Sequence, residues 1–319
     1  MSIATYIKEI GRGREGARSL SAEQSHDLMG QVLDGRVSDL ELGAFALAMR
    51  IKGESIDELS GFLRAVHERS LKLSPAKPLV ILPSYNGARK LPNLTALLAL
   101  LLAQNDIPVL VHGPSKDPSR VTTAAVFHDL GLPTALDAAD VPHAWARREP
   151  VFMATETLCP ALARLLDVRW VIGLRNAGHT VAKLLDPTAG SQSFRVVNHT
   201  HPEYGEVLTA FLQREHAHAM LLRGTEGEPV ADPRRTPVMD AFAHGDSWRV
   251  QEAQSGPLAQ VPDLPAPDAA STAHWTQAVL DGQQPVPAPI ALQVSHLVRL
   301  AQAVNAAKPS HSNHFTNTP

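Results

Sequence analysis

Cations placed just after strand-like runs have the most chemistry to offer in this chain. Residues 79–82 are apolar and lead into Pro83-Ser84-Tyr85-Asn86-Gly87-Ala88-Arg89-Lys90. A second apolar run, 107–112, ends in His112-Gly113 and is followed by Lys116 and Arg120. In a parallel strand–helix–strand unit both loops lie at the carboxyl edge of the sheet, where such folds hold ligands. Arg89 and Lys90 are therefore candidates for phosphate contact. Lys116 and Arg120 flank a helix start whose dipole also favours anions, with Asp117 as a competing partner. Between residues 164 and 195, Arg164, Arg169, Arg175, Lys183 and Arg195 face only Asp167 and Asp186, the largest local excess of positive charge. Arg169, Arg175 and Lys183 are read from it as anion contacts, Arg175 first among them. Arg223 joins them as a further contact, although Arg223, Arg234 and Arg235 also bracket the acidic Thr225–Glu228 stretch, where an internal ion-pair network is an equal reading.

Other groups argue against catalysis. His112 reads as a packed, hydrogen-bonded ring before it reads as a general base. Tyr85 could stack a nucleobase, but aromatics make up 5% of the chain and offer no stacking platform. No Ser-His-Asp or Cys-His arrangement stands out. His311 and His314 lack the further donors that a metal site needs.

The elements that must position these residues follow from local signals. Residues 1–77 are helical by three capping boxes, beginning at Ser21, Ser38 and Ser55, in which a hydroxyl and an acid or amide three residues on satisfy each other's orphan amides. From residue 78 to 306 short apolar runs at 79–82, 107–112, 151–153, 194–198 and 218–222 alternate with helical stretches near 93–104, 119–130, 158–167 and 203–215, which predicts a mainly parallel sheet flanked by helices. Residues 169–187 look helical and, within about 160–187, are expected to complete the N-terminal helices. Residues 253–270 read as a surface connection, helices return near 271–281 and 289–306, and 307–319 reads as a disordered tail.

Composition excludes several classes. A hydrophobic content of 44% and modest charge fit an ordinary globular protein. No apolar run reaches the length of a membrane span, and the N-terminus does not resemble a secretion signal. The single Cys159 rules out an internal disulfide and, with the rest, points to the cytoplasm. Net charge is −3, so the chain is not a uniformly basic nucleic-acid binder. The negative excess sits in residues 236–319, with three Lys/Arg against six Asp/Glu. A local stripe of cations can still steer phosphate on such a protein.

Leu33-Asp34-Gly35-Arg36-Val37-Ser38-Asp39 and the following Ala44 to Glu54 stretch resemble the N-terminal helical domain of anthranilate phosphoribosyltransferase and its nucleoside-phosphorylase-like relatives. Val111-His112-Gly113, Asp167-Val168-Arg169 and Arg223-Gly224-Thr225-Glu226-Gly227 fall in that fold's order, and the resemblance covers roughly residues 15–235. It implies an α/β fold with a small helical domain beside a larger, mainly parallel α/β domain, and a homodimer formed through the helical domain. The family's glycine-rich diphosphate loop is degenerate here: Pro83-Ser84-Tyr85-Asn86-Gly87 stands where Gly-Thr-Gly-Gly-Asp is expected. The replacement removes one amide and adds bulk. His112-Gly113 is followed by Pro114 where the family has Asn. Gly173 to Thr180 replaces a family turn, and the magnesium-binding acidic pair is reduced to Glu226 and Glu228.

Pro83 to Lys90, Arg175-Asn176 with His179-Thr180, His201-Pro202-Glu203-Tyr204 and Gly224 to Glu228 resemble the YbiB-type subgroup of this fold. That resemblance implies a homodimer that binds DNA and RNA with little sequence preference, without catalysis or a cofactor. Arg89, Lys90, Lys116, Arg120, Arg169, Arg175, Lys183 and Arg223 would contact phosphates. The alternative is a magnesium-dependent phosphoribosyltransferase or phosphorylase with an altered site. It would hold phosphoribosyl pyrophosphate at the first loop and magnesium at Glu226 and Glu228.

Overall fold

A computed structural model describes residues 2–13, 15–188, 193–258 and 261–306; the expected tail at 307–319 lies outside the described residues. Four helices open the chain: α1 (Ala4–Ile10), α2 (Ala22–Leu33), α3 (Asp39–Lys52) and α4 (Ile56–Glu68). The sequence dictates their starts. Ser21, Ser38 and Ser55 each accept from the amide three residues on, and the side chains of Gln24, Glu41 and Glu58 return to the cap amides. α2 and α4 approach so closely that a Cβ on Gly61 would stand 2.2 Å from the Ala22 carbonyl oxygen. Phe45 and Phe62 meet edge to face at 5.9 Å in the core between these helices. Glu58, fully buried, takes the Lys52 ammonium at 2.6 Å and the Leu20 and Ser55 amides at 3.0 and 2.8 Å.

The α/β part follows as β1 (Leu79–Pro83), α5 (Thr95–Gln104), β2 (Val109–Gly113), α6 (Thr123–Asp129), β3 (Thr134–Ala135), α7 (Asp140–Ala146), β4 (Val151–Ala154), α8 (Thr155–Leu158), α9 (Pro160–Ile172), α10 (Ala177–Ala182), β5 (Ser193–His199), α11 (Pro202–Arg214), β6 (Ala219–Arg223), β7 (Met239–Ala243), β8 (Asp246–Gln251), α12 (Ala269–Leu280) and α13 (Ala288–Ala306). The sheet order is β3-β4-β2-β1-β5-β6-β7-β8, parallel through β6 and closed by antiparallel β7 and β8. The central strands are buried on both faces. Leu79, Ile81 and Leu110 pack into the core that includes the N-terminal helices, while Val80, Leu82, Val109 and Val111 face α5 and α13. That explains their unbroken apolar runs.

The architecture is the expected one, an N-terminal helical domain and a larger α/β domain with a mainly parallel sheet. α9 packs on α2, and α10 on α3 and α4. The expected helical stretch 169–187 is interrupted: α9 ends at Gly173 with φ 73°, and only Ala177–Ala182 resumes helix. The β7–β8 hairpin was not expected. It turns through His244 and Gly245, both at positive φ (55° and 90°), and a His-Gly pair is a weak turn signal beside Asn-Gly.

The loops after β1, β2, β4, β5 and β6 share the carboxyl edge. Chain order runs outward from β1 through β2 and then resumes at β5 on its other side, so the edge above β1 and β5 is the switch point where such sheets bind ligands.

Candidate anion site at the carboxyl edge

The loop after β1 is built around an anion, and that anion belongs to the chain. The amides of Asn86 and Gly87 both donate to Oε1 of Glu228 at 2.7 Å, and the Ser84 hydroxyl donates to its Oε2. The amides of Arg89, Lys90 and Leu91 converge on Oε2 of Glu226 at 2.8, 2.9 and 3.1 Å. Successive amides gathered on one acceptor make the kind of concavity that binds phosphate elsewhere. The expectation that Pro83, Tyr85 and Asn86 would spoil this cradle by bulk and a missing amide is corrected in its reason. Pro83 ends β1 rather than lining the loop. Tyr85 turns into the core, 3% exposed, and its hydroxyl meets His112 Nδ1 at 2.9 Å, so it offers no stacking face. Asn86 packs against Gly227, where a Cβ would stand 1.7 Å from its Nδ2.

His112 is fully buried and donates from Nε2 to the Leu185 carbonyl at 3.2 Å while Nδ1 accepts the Tyr85 hydroxyl. Burial pushes its pKa down to about 4, so the ring is neutral and structural.

Around the loop the predicted cations divide. Arg175 donates to the Asn86 side-chain oxygen, and Arg120 donates to the Gly87 carbonyl at 3.1 Å. Arg169 pairs with Asp117 at 3.0 Å and lies over the Trp170 ring at 4.0 Å. Asp117 thus pairs with Arg169 rather than with Lys116 or Arg120, its other oxygen accepting the Ser119 amide and hydroxyl. Lys183 reaches the Asn198 side-chain oxygen at 3.2 Å and the Gly227 carbonyl at 3.5 Å. Burial, then the charges of Arg169 and Arg120, lower the Arg175 pKa to about 10. Burial and Arg175 likewise lower Lys183 to about 8. His179, buried and facing Arg175, Arg169 and Lys183, falls to about 3. Arg169, Arg120, Arg175 and Lys183 thus lie close enough for their charges to act within one set, with Glu228 and Asp117 partly offsetting them at Arg175.

Arg89, Lys90 and Lys116 extend this set at the surface: all three side chains are exposed and make no ion pair among the described residues. Other members of the charge-rich stretch leave it. Arg164 donates to the Leu33 carbonyl at 3.1 Å, and Arg195, buried in β5, donates to the Leu184 carbonyl beside Asp186. Arg223 ends β6 and lines a groove of about 950 Å³ with Leu91, Glu226, Arg234 and Arg235, where Arg234 pairs with Asp232 at 2.8 Å.

Local reading missed the carboxylate contacts, because residues 84–91 and 226–228 are more than a hundred positions apart. It also missed Asn198, whose buried Nδ2 has no partner. Asn198 lines a cleft of about 250 Å³ with Arg50, Glu54, Arg175, His179 and Lys183, between α3 and the end of β5.

A helical domain beside a mainly parallel sheet, with a loop at the switch point shaped for an anion, defines the anthranilate phosphoribosyltransferase-like class. Residues 4–70 match the glycosyl transferase family, helical bundle domain. The crystal structure of anthranilate phosphoribosyltransferase from Thermus thermophilus superposes with a TM-score of 0.73 at 21% identity, over 95% of this chain and 90% of that one. The Saccharomyces cerevisiae enzyme in complex with PRPP and Mg gives 0.71 at 14% identity, over 94% and 89%, a likeness of fold. Anthranilate phosphoribosyltransferase of Dehalococcoides mccartyi (strain CBDB1) is 25% identical over 69% of this chain and 65% of its own length. Escherichia coli (strain K12) YbiB, itself called uncharacterized, is 39% identical over 299 residues, 92% of this chain and 93% of YbiB. The chain belongs to the YbiB family.

Proposed function

We propose that this protein binds nucleic acid through its phosphate backbone, with little sequence preference, as a homodimer. The observation that carries the reading is the convergence of Arg120, Arg169, Arg175 and Lys183 behind exposed Arg89, Lys90 and Lys116, around a loop whose amides already hold carboxylates. Side-chain cations are left to meet phosphate, and they carry no base-reading geometry. Arg223 would extend the track only if the strand crosses the Glu226 turn.

Dimerisation is proposed through the helical domain. Leu40, Leu47 and Ile51 lie on one face of α3 and are 84%, 48% and 60% exposed, an apolar stripe that a second copy would cover.

The alternative, a magnesium-dependent transferase, needs loop amides open to a diphosphate and carboxylates open to a metal. The residues present do not fit that demand. Both oxygens of Glu228 and Oε2 of Glu226 are engaged by donors, and no group of three His, Cys, Asp or Glu that could hold a metal gathers among the described residues.

The test is fluorescence anisotropy with a labelled oligonucleotide. Wild-type protein is expected to bind, and Arg89→Ala/Lys90→Ala/Arg175→Ala to lose at least about a hundredfold, since each charge-assisted contact is worth roughly 1.5–3 kcal/mol. Undiminished binding by the triple variant would move the interface elsewhere. Calorimetric binding of phosphoribosyl pyrophosphate that requires magnesium would overturn the reading.

A further inference from the structure

The turn after β6 is shaped at some cost. Glu226 adopts a left-handed backbone (φ 51°, ψ 19°), a conformation that non-glycine residues avoid. Gly227 follows at φ 87°, with Asn86 filling the space a side chain would need. A Cβ on Gly224 would stand 1.9 Å from the Glu228 carbonyl oxygen, and one on Gly87 2.9 Å from the Arg120 Cβ. The first of these approaches tightens the turn on itself, the second seats the β1 loop on the segment before α6, and Gly227 against Asn86 joins turn to loop. The result is two carboxylates two residues apart, set into five backbone amides of one loop. A free diphosphate would bring two linked anionic centres to a cradle of this kind.

We propose that the turn after β6 is a built-in anion: Glu226 and Glu228 fill the amide nest of the β1 loop and exclude free diphosphates from it, leaving the surrounding side chains to a phosphodiester chain. The exclusion stands on the hydrogen-bond geometry alone; the second clause rests on the nucleic-acid reading. Burial works against the Glu226 charge, but the three amides and Arg120 outweigh it and hold the carboxyl below its usual range. Glu226 is therefore ionised at neutral pH and competes with any added anion for the same donors.

The experiment uses the full chain and inorganic pyrophosphate, without divalent metal and at fixed ionic strength. Titration is followed by calorimetry and by the backbone amide resonances of Arg89, Lys90 and Leu91. Glu226 is half-exposed, so Glu226→Ala removes the plug without opening the core. Glu156→Ala is the control: its carboxylate bonds the Ser115 hydroxyl at 2.8 Å, and it shares the carboxyl edge without touching the nest. Glu226→Ala is expected to bind pyrophosphate at least about tenfold more tightly than wild type, with shifts at the three amides, while Glu156→Ala stays near wild type. If Glu226→Ala does not fold by circular dichroism, Glu226→Gly, which also removes the carboxylate and suits the left-handed backbone, must show the same gain. An equal gain in the control, or folded Glu226 variants without gain or amide shifts, would overturn the proposal. Oligonucleotide binding is scored separately, so its failure would remove the nucleic-acid reading and leave the plug to stand or fall on pyrophosphate.

Discussion

Arg175 carries its charge against burial and the charges of Arg169 and Arg120, Lys183 against burial and Arg175, and that conflict sets how both respond to a ligand. A group whose folded pKa is depressed below its free value is penalised while charged, and an anion that arrives relieves the penalty. Lys183, at about 8, is charged below that pH and loses its proton above it. Oligonucleotide affinity is therefore expected to fall as pH rises from about 7 to about 9, and Lys183→Arg, which stays ionised, should flatten that fall. Equal pH profiles for the two proteins in an anisotropy titration would contradict it. Arg175→Ala should weaken binding about tenfold or more and lower the salt slope by about one contact, while leaving thermal stability undiminished, because a desolvated charge is removed. Sequence reading found these cations from a local excess of charge. It could not tell them from Arg164 and Arg195, which the same stretch contains and the fold sends elsewhere. Nor could it see that Glu226 and Glu228 hold the loop's amides, since that contact joins the ends of two strands distant in sequence.

At the scale of elements, the helices were the most legible part because their start signals are local. Ser21, Ser38 and Ser55 announce three of them, and the structure makes all three boxes reciprocal. Glu58 shows what the local signal conceals. It reads as the third residue of a box, but it is also the buried acceptor of Lys52 and of the Leu20 amide, tying α4 to α3 and to the segment before α2. Glu58→Ala is expected to cost about 3–5 kcal/mol, far above the roughly 1 kcal/mol of an ordinary cap, because it strands a buried ammonium. Urea denaturation of the intact protein checks this; a loss near that of an ordinary cap would reduce Glu58 to one. The parallel strands were legible as apolar runs buried on both faces. The β7–β8 hairpin was not, since exposed β8 carries Asp246, Ser247 and Arg249 on an outer edge and no Asn-Gly or Asp-Gly marks the turn.

At the scale of the molecule, the fold places every strand-end loop from β1 to β6 on one edge, and an α3 face with exposed Leu40, Leu47 and Ile51 lies outside it. Light scattering is expected to give a dimer for wild type and a monomer for Leu47→Glu/Ile51→Glu, with folded content retained. A dimeric variant would place the interface off α3. A net charge of −3 gave no hint of a polyanion partner, because charge summed over the chain hides a cluster confined to one edge.

The most direct test of the central claim is the salt dependence of oligonucleotide binding by the wild-type protein. If the two protomers together neutralise about six to ten phosphates, affinity should fall by about 10³–10⁵ between roughly 50 and 200 mM salt, with log K linear in log salt and little difference between unrelated sequences. Binding that ignores salt, or that follows base sequence at constant salt, would contradict it.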